Sequence, residues 1–308
     1  MKLYKVLGGV TGLNTKDDPV RLPYNEETGV QDLAVAFNVD VEDTGRVSRR
    51  KGFTNRIDAN CHSLFAEGNI CLFVTGDALC WMYPDYGYAG LRNITVGARM
   101  RYCRVDDTVY YLNGYEIGRV AGAVSSSWVM GTYSGPDTDR VYSDPPMGTD
   151  VCYHNGRIYI AQGDTVWYSE PFGFNLFDLT RSYWKVDSRV RTLRAVKDGI
   201  FVGSETNTYF YKGDEPKDTV RSTVATYPII QYSDVNFLGR LVFPIGGGKY
   251  IDTHSGSLSA LWLSEKGICY GGHDGDFYNL TEEKIVMPAG ISGSGLVFDG
   301  RYVGLINP

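Results

Sequence analysis

Asn155-Gly156-Arg157-Ile158-Tyr159-Ile160, then Gly163-Asp164, then Thr165-Val166-Trp167-Tyr168 is the stretch on which the fold turns. A Gly-bearing turn leads into an apolar run, a short polar turn and a second apolar run. Gly supplies the positive φ that tight turns require, and β-branched and aromatic side chains suit a pleated surface. The stretch therefore reads as a β-hairpin. The unit recurs on both sides of it. Glu67-Gly68-Asn69 leads into Ile70-Cys71-Leu72-Phe73-Val74, and Asp106-Asp107 into Thr108-Val109-Tyr110-Tyr111-Leu112. Asp198-Gly199 leads into Ile200-Phe201-Val202, Leu238-Gly239-Arg240 into Leu241-Val242-Phe243, Lys266-Gly267 into Ile268-Cys269-Tyr270, and Asp299-Gly300-Arg301 into Tyr302-Val303. The turns at 68, 107, 156, 199, 239, 267 and 300 are separated by 39, 49, 43, 40, 28 and 33 residues. One four-stranded propeller blade takes ~40–50 residues, and such blades bury their faces only by stacking around an axis. The expectation is an all-β chain forming a β-propeller of about six blades, with five and seven open. The short later intervals would then be two turn matches in one blade. A β-sandwich array is the competing architecture.

Composition agrees with this reading. The chain has 308 residues, 37 of them Gly, with 23 Tyr, 13 Phe and 5 Trp. At 43% hydrophobic and 21% charged residues it has the apolar mass for a large core, which excludes intrinsic disorder. The net charge of −6 offers no overall basic face for gripping nucleic acid. Acidic balance also simply favours solubility. The apolar stretch within Met1–Gly9 is too short for a signal-peptide core, and no run approaches the ~20 apolar residues of a membrane span. A soluble chain made in the cytoplasm, without membrane insertion, is expected.

Residues 8–32, rich in Gly, Asp, Asn and Pro, read as an extended N-terminal arm (residues 1–32), with the propeller over 33–308. Leu33, Val35, Phe37, Val39 and Val41 alternate with smaller or polar residues, predicting a nine-residue half-buried strand. Asp43-Thr44-Gly45 would turn it into a return strand from Arg46. Because the chain ends directly after the apolar run at 303–306, closure by pairing of N- and C-terminal strands is expected, with 33–41 as the candidate partner.

Chemistry-bearing motifs are sparse. His62, His154, His254 and His273 are isolated, and the six Cys form no C-x-x-C, so neither a local metal site nor a cofactor is expected. Cys71, Cys103, Cys152 and Cys269 sit in apolar runs as buried free thiols. Gly246-Gly247-Gly248-Lys249 lacks the spacing of a phosphate loop and reads as a wide turn. Propeller glycosidases need carboxylates converging on the axis. The local candidates are Asp274 with Asp276, and Glu170 with Asp178, although Asp in such turns usually bonds nearby backbone N–H groups. Trp81, Tyr86, Tyr88 and Trp184 could stack on sugars, or belong to the core. The basic run Arg46, Arg49, Arg50 and Lys51 suits both a charged edge strand and a contact with an acidic neighbouring subunit, and marks the candidate subunit interface.

Gly8-Gly9-Val10-Thr11-Gly12-Leu13-Asn14, then Phe37-Asn38-Val39-Asp40, then Gly45-Arg46-Val47-Ser48-Arg49-Arg50-Lys51-Gly52-Phe53 resembles the opening of tailed-bacteriophage tail structural proteins. Val166-Trp167-Tyr168-Ser169-Glu170-Pro171 with Asn175-Leu176-Phe177-Asp178 is similar to a recurring stretch in the same proteins. The resemblance covers about the first 53 residues and this central patch. It implies a β-propeller subunit of a virion tail, of the nozzle or hub type, without catalytic residues. Such subunits form homo-oligomeric rings, commonly sixfold, bind other tail or connector proteins, and let DNA pass during genome ejection. The chain is short for the larger nozzle proteins. A carbohydrate-binding propeller of a tail tip is the second reading and a propeller glycosidase the third.

Overall fold

The computed structural model describes residues 9–22, 24–25, 30–42, 44–133, 139–239, 242–244, 250–252, 256–298 and 300–307. Its regular secondary structure is almost entirely β, with one 3-10 turn at Pro19–Arg21. Five four-stranded antiparallel sheets follow one another along the chain and form the blades of a β-propeller. Blade 1 is Cys61–Glu67, Ile70–Thr75, Ala78–Met82 and Tyr88–Asn93; blade 2 is Arg101–Val105, Thr108–Leu112, Ile117–Ala121 and Val124–Ser127. Blade 3 is Asp150–His154, Arg157–Gln162, Thr165–Tyr168 and Tyr183–Lys185; blade 4 is Val190–Val196, Gly199–Ser204, Thr208–Lys212 and Val220–Ala225. Blade 5 is Val235–Leu238, Leu258–Ser264, Gly267–Gly271 and Phe277–Asn279, with the small hairpin Val242–Pro244 and Tyr250–Asp252 inserted after its first strand. From blade 2 onward each blade's first strand lies beside the next blade's first strand, so these strands line the axis.

The core shows why the apolar runs are continuous rather than alternating. Val109 and Tyr111 face blade 1 with Leu72, Val74 and Leu79. Their neighbours Tyr110 and Leu112 face blade 3 with Ile158, Ile160 and Phe177. Tyr159 and Ala161 in turn face blade 4 with Val202 and Tyr211. Phe201 and Phe210 meet Ala260 and Trp262 of blade 5. A strand buried on both faces needs an apolar side chain at every position. Each of these four clusters belongs to two blades, so neighbouring blades share their cores.

Among the described residues the blade count is five, at the lower end of the expected range. Gly239 and Gly267 both belong to blade 5, separated by its inserted hairpin. The match at Gly300 is the turn of a lone terminal hairpin, Ser292–Phe298 with Arg301–Asn307. That hairpin packs Val297 and Tyr302 on Phe237, Leu261 and Tyr270 of blade 5.

The N-terminal region differs from its expected form. Gly9–Leu13, Tyr24–Asn25 and Val30–Leu33 form a three-stranded sheet within the expected arm. The nine-residue strand is broken: Val30–Leu33 and Val39–Val41 are separate, with Asn38 at φ 53. No sheet partner spans residues 34–37 among the described residues, so Val35 and Phe37 point their apolar side chains outward. The turn and return strand do form, as Val39–Val41 pairs with Val47–Arg49. Closure through paired terminal strands is absent among the described residues. Instead the chain ends meet through side chains and single backbone bonds. Thr15 N donates to Lys284 O at 2.8 Å, Lys284 Nζ reaches Asp32 Oδ1 at 2.8 Å, and Arg301 Nη1 reaches Asp40 Oδ2 at 2.6 Å. Residues 1–8 and Gly246-Gly247-Gly248-Lys249 lie outside the described residues.

Candidate functional site

Charges converge where the first strands meet. Arg101 opens the first strand of blade 2, Asp150 that of blade 3, Arg194 lies within that of blade 4, and Asp234 immediately precedes that of blade 5. Arg101 grips Asp150 with two bonds, Nε to Oδ1 at 2.7 Å and Nη2 to Oδ2 at 2.8 Å, and reaches Asp234 Oδ2 at 2.6 Å. Arg194 pairs with the same Asp234 oxygen and lies 3.7 Å from Asp150 Oδ1. Asp150 also accepts the backbone N–H groups of Val151 and Leu193. Both carboxylates are fully buried side chains. Burial pushes the Asp234 carboxyl up, but Arg101 and Arg194 outweigh it and hold the group below its ordinary value.

Around this plug, the Arg99 guanidinium lies 4.2 Å and that of Arg101 5.2 Å from the Tyr232 ring centre. Arg99 donates to Gly293 O at 2.5 Å and to Ser294 Oγ at 2.8 Å, tying the terminal hairpin to the link between blades 1 and 2. His62 of blade 1, with Nδ1 2.8 Å from Ser63 Oγ, is held below its ordinary pKa by burial and by Arg99.

The plug was outside the sequence-based candidates, which were chosen as local clusters. Its members stand 49, 44 and 40 residues apart. That is the blade spacing itself, so a charge recurring once per blade at an innermost strand was the signal available.

The structure brings Glu170 and Asp178 together, but onto a cation. Arg140 Nη1 lies 3.2 Å from Glu170 Oε1 and 3.6 Å from Asp178 Oδ2. After the strand Thr165–Tyr168, residues 169–178 form a loop held by its own hydrogen bonds and those of its neighbours. Ser169 Oγ accepts Ile158 N–H and donates to Glu170 O, Glu170 N bonds Leu176 O, and Asp178 accepts from the Thr180 N–H and hydroxyl. With Arg157, whose Nη2 is 3.0 Å from Glu215 Oε2, it borders a cleft of about 110 Å³ closed by Tyr168, Ser182 and Pro216. Asp274 and Asp276 are turn residues: Asp276 N–H donates to Asp274 Oδ1 and Gly272 N–H to Asp276 O. Among the described residues no His, Cys, Asp and Glu group has a metal-binding arrangement.

Trp184 is a packing residue, stacked on Tyr211 at 4.5 Å and 15° and donating to Pro216 O at 2.8 Å. Trp81 packs against the core between blades 1 and 2. Tyr86 and Tyr88 stay exposed with Tyr83 on one outer turn of blade 1, and Arg56 lies over the Tyr86 ring at 4.8 Å. All six cysteines are free, and Cys80 joins Cys103, Cys152 and Cys269 in the interior.

The basic run flanks the N-terminal hairpin. Arg50 Nε contacts Asp40 Oδ1 at 3.2 Å, the carboxylate that also holds Arg301. Arg46, Arg49 and Lys51 are exposed. Phe37 and Phe53 stand in the same segment at 85% and 87% exposure.

No protein-family model and no curated protein matches the chain. Among solved structures it is similar to PorZ, a surface component of the type-IX secretion system of Porphyromonas gingivalis, at 15% identity and a TM-score of 0.41, over 87% of this chain and 36% of that chain. It thus spans little more than a third of the PorZ chain. It is also similar to a virginiamycin B lyase from Staphylococcus aureus, at 10% identity and a TM-score of 0.42, over 82% and 86% of the two chains. A gluconolactonase from Xanthomonas campestris matches at 13% identity and a TM-score of 0.40, over 77% and 78%.

Proposed function

We propose that this chain is a structural subunit of a phage virion tail, in the nozzle, hub or connecting ring, where it contributes to the DNA exit channel and to a platform for other tail proteins. The observation that carries this reading is the corner built by the segment resembling phage tail proteins. There Asp40 binds Arg50 and Arg301 at once, clamping the N-terminal hairpin to the terminal hairpin. On the segments that meet there, Phe37, Phe53 and Phe298 are exposed, and so are Arg46, Arg49 and Lys51. Large apolar side chains gathered with cations on a surface suit a subunit that is covered on assembly. The filled axis adds a constraint. With Arg101, Asp150, Arg194 and Asp234 packed across it, DNA would pass between subunits of a ring rather than through any one propeller.

The axis also weighs against the glycosidase reading. A general acid needs a raised pKa, whereas Asp234 is held low by two guanidiniums. Electron microscopy of the purified virion and of the isolated protein tests the proposal. Density for this fold in the tail is the expected result; its absence from virions would overturn it. The three exposed tyrosines Tyr83, Tyr86 and Tyr88 favour a second reading, carbohydrate binding at a tail tip. A glycan array on the wild type and Tyr86→Ala checks it, with loss of the signal in the variant expected.

A further inference from the structure

The terminal hairpin continues the propeller past blade 5 with two strands, where every blade has four. One face is committed to blade 5. Tyr302 OH donates to Ser233 O at 2.6 Å, Val297 and Tyr302 join the blade 5 cluster, and a Cβ at Gly295 would run into the Ser233 carbonyl. The register pairs Leu296 with Val303, Ser294 with Leu305 and Phe298 with Arg301. These residues share the opposite face, and Phe298 and Leu305 are 67% and 66% exposed. Among the described residues, Arg301–Asn307 pairs only with Ser292–Phe298, and no described strand lies along its other edge. An open edge beside an apolar face is a template for strand addition.

The neighbourhood of that edge says what adds to it. Arg301, Arg46, Arg49, Arg50 and Lys51 outnumber the carboxylates Asp40 and Glu42 among the described residues of this corner and make it basic. The whole chain carries net −6, so the chain outside this basic corner is net negative. A twofold contact through the corner would set the cations of one copy against those of its twin. A head-to-tail contact sets them against the net-negative remainder of the chain. We propose that a second copy of this chain docks head-to-tail on the Arg301–Asn307 edge, extending the two-stranded sheet and covering Leu296, Phe298, Val303 and Leu305. This rests on the reading of the chain as a ring subunit and names the contact between copies.

The experiment is light scattering after size exclusion on the full chain across protein and salt concentration, with hydrogen exchange of residues 301–307 measured over the same range. The expected result is an oligomer that weakens with salt, with exchange protection of this strand rising as protein concentration rises. Leu305→Arg, and separately the triple variant Arg46→Glu, Arg49→Glu and Lys51→Glu, should weaken association at least tenfold while leaving the thermal melt in place. A monomer at all concentrations, an oligomer indifferent to both variants, or an edge already protected in the monomer would overturn the proposal. Should a variant fail to fold, the concentration dependence of exchange in the wild type decides. A monomer that nevertheless occurs in virion tails removes this contact and keeps the tail reading. A self-assembling protein absent from virions does the reverse.

Discussion

At the scale of single residues, the four charges on the axis are the most consequential side chains in the molecule. A buried ion pair contributes little net stability over an apolar substitute, but breaking one strands a charge in a dry site. Arg101 is shared by two buried carboxylates, so Arg101→Met should cost about 3–5 kcal/mol, read as a lowered urea midpoint with an unchanged slope. The pH dependence follows from the direction of the Asp234 shift. Its folded-state pKa lies below the unfolded value of ~3.9, so its stabilisation is complete above that pH and is lost as pH falls through the folded value. Asp234→Asn should lower the Tm at pH 7 and flatten the acid limb below about pH 4. A variant whose acid limb matches that of wild type would show that other carboxylates govern it. Surface pairs such as Lys185 with Asp164, both more than half exposed, contribute far less.

At the scale of elements, the hairpins were legible because their signals are local. A Gly-bearing turn beside a run such as Val109-Tyr110-Tyr111-Leu112 carries its own reading, and residues 108–112 form the strand expected there. The broken strand at 33–41 shows the limit of such signals. Its period-two alternation is regular over nine residues, yet no neighbour pairs with residues 34–37 among the described residues, and the alternation alone does not hold a strand together. The turn Asp274-Gly275-Asp276 separates structural from catalytic roles. Gly275 has φ +96, and a Cβ there would enter the Phe210 ring, a core residue between blades 4 and 5. Gly275→Ala should therefore destabilise by about 2–4 kcal/mol, measured by chemical denaturation. Asp274→Asn and Asp276→Asn, which keep the turn-forming oxygen, should stay within about 0.5 kcal/mol of wild type.

At the scale of the whole molecule, the ring is held at its ends by side chains. Arg99 reaches from the link between blades 1 and 2 to Gly293 and Ser294 of the terminal hairpin while lying over Tyr232. Arg99→Ala should free that hairpin selectively. Exchange protection at 292–307 would fall while blades 2–4 keep theirs, and uniform loss across the chain would show that Arg99 serves global stability instead. The sequence by itself determined the all-β class, the repeated hairpin and the blade spacing, because turn chemistry and apolar runs act over a few residues. Only the tertiary structure decided the count of five, the separation of the terminal strands and the identity of the axial plug. Those depend on which distant strands become neighbours. Arg101 and Asp234 are 133 residues apart and meet only because four blades rotate their first strands onto one axis.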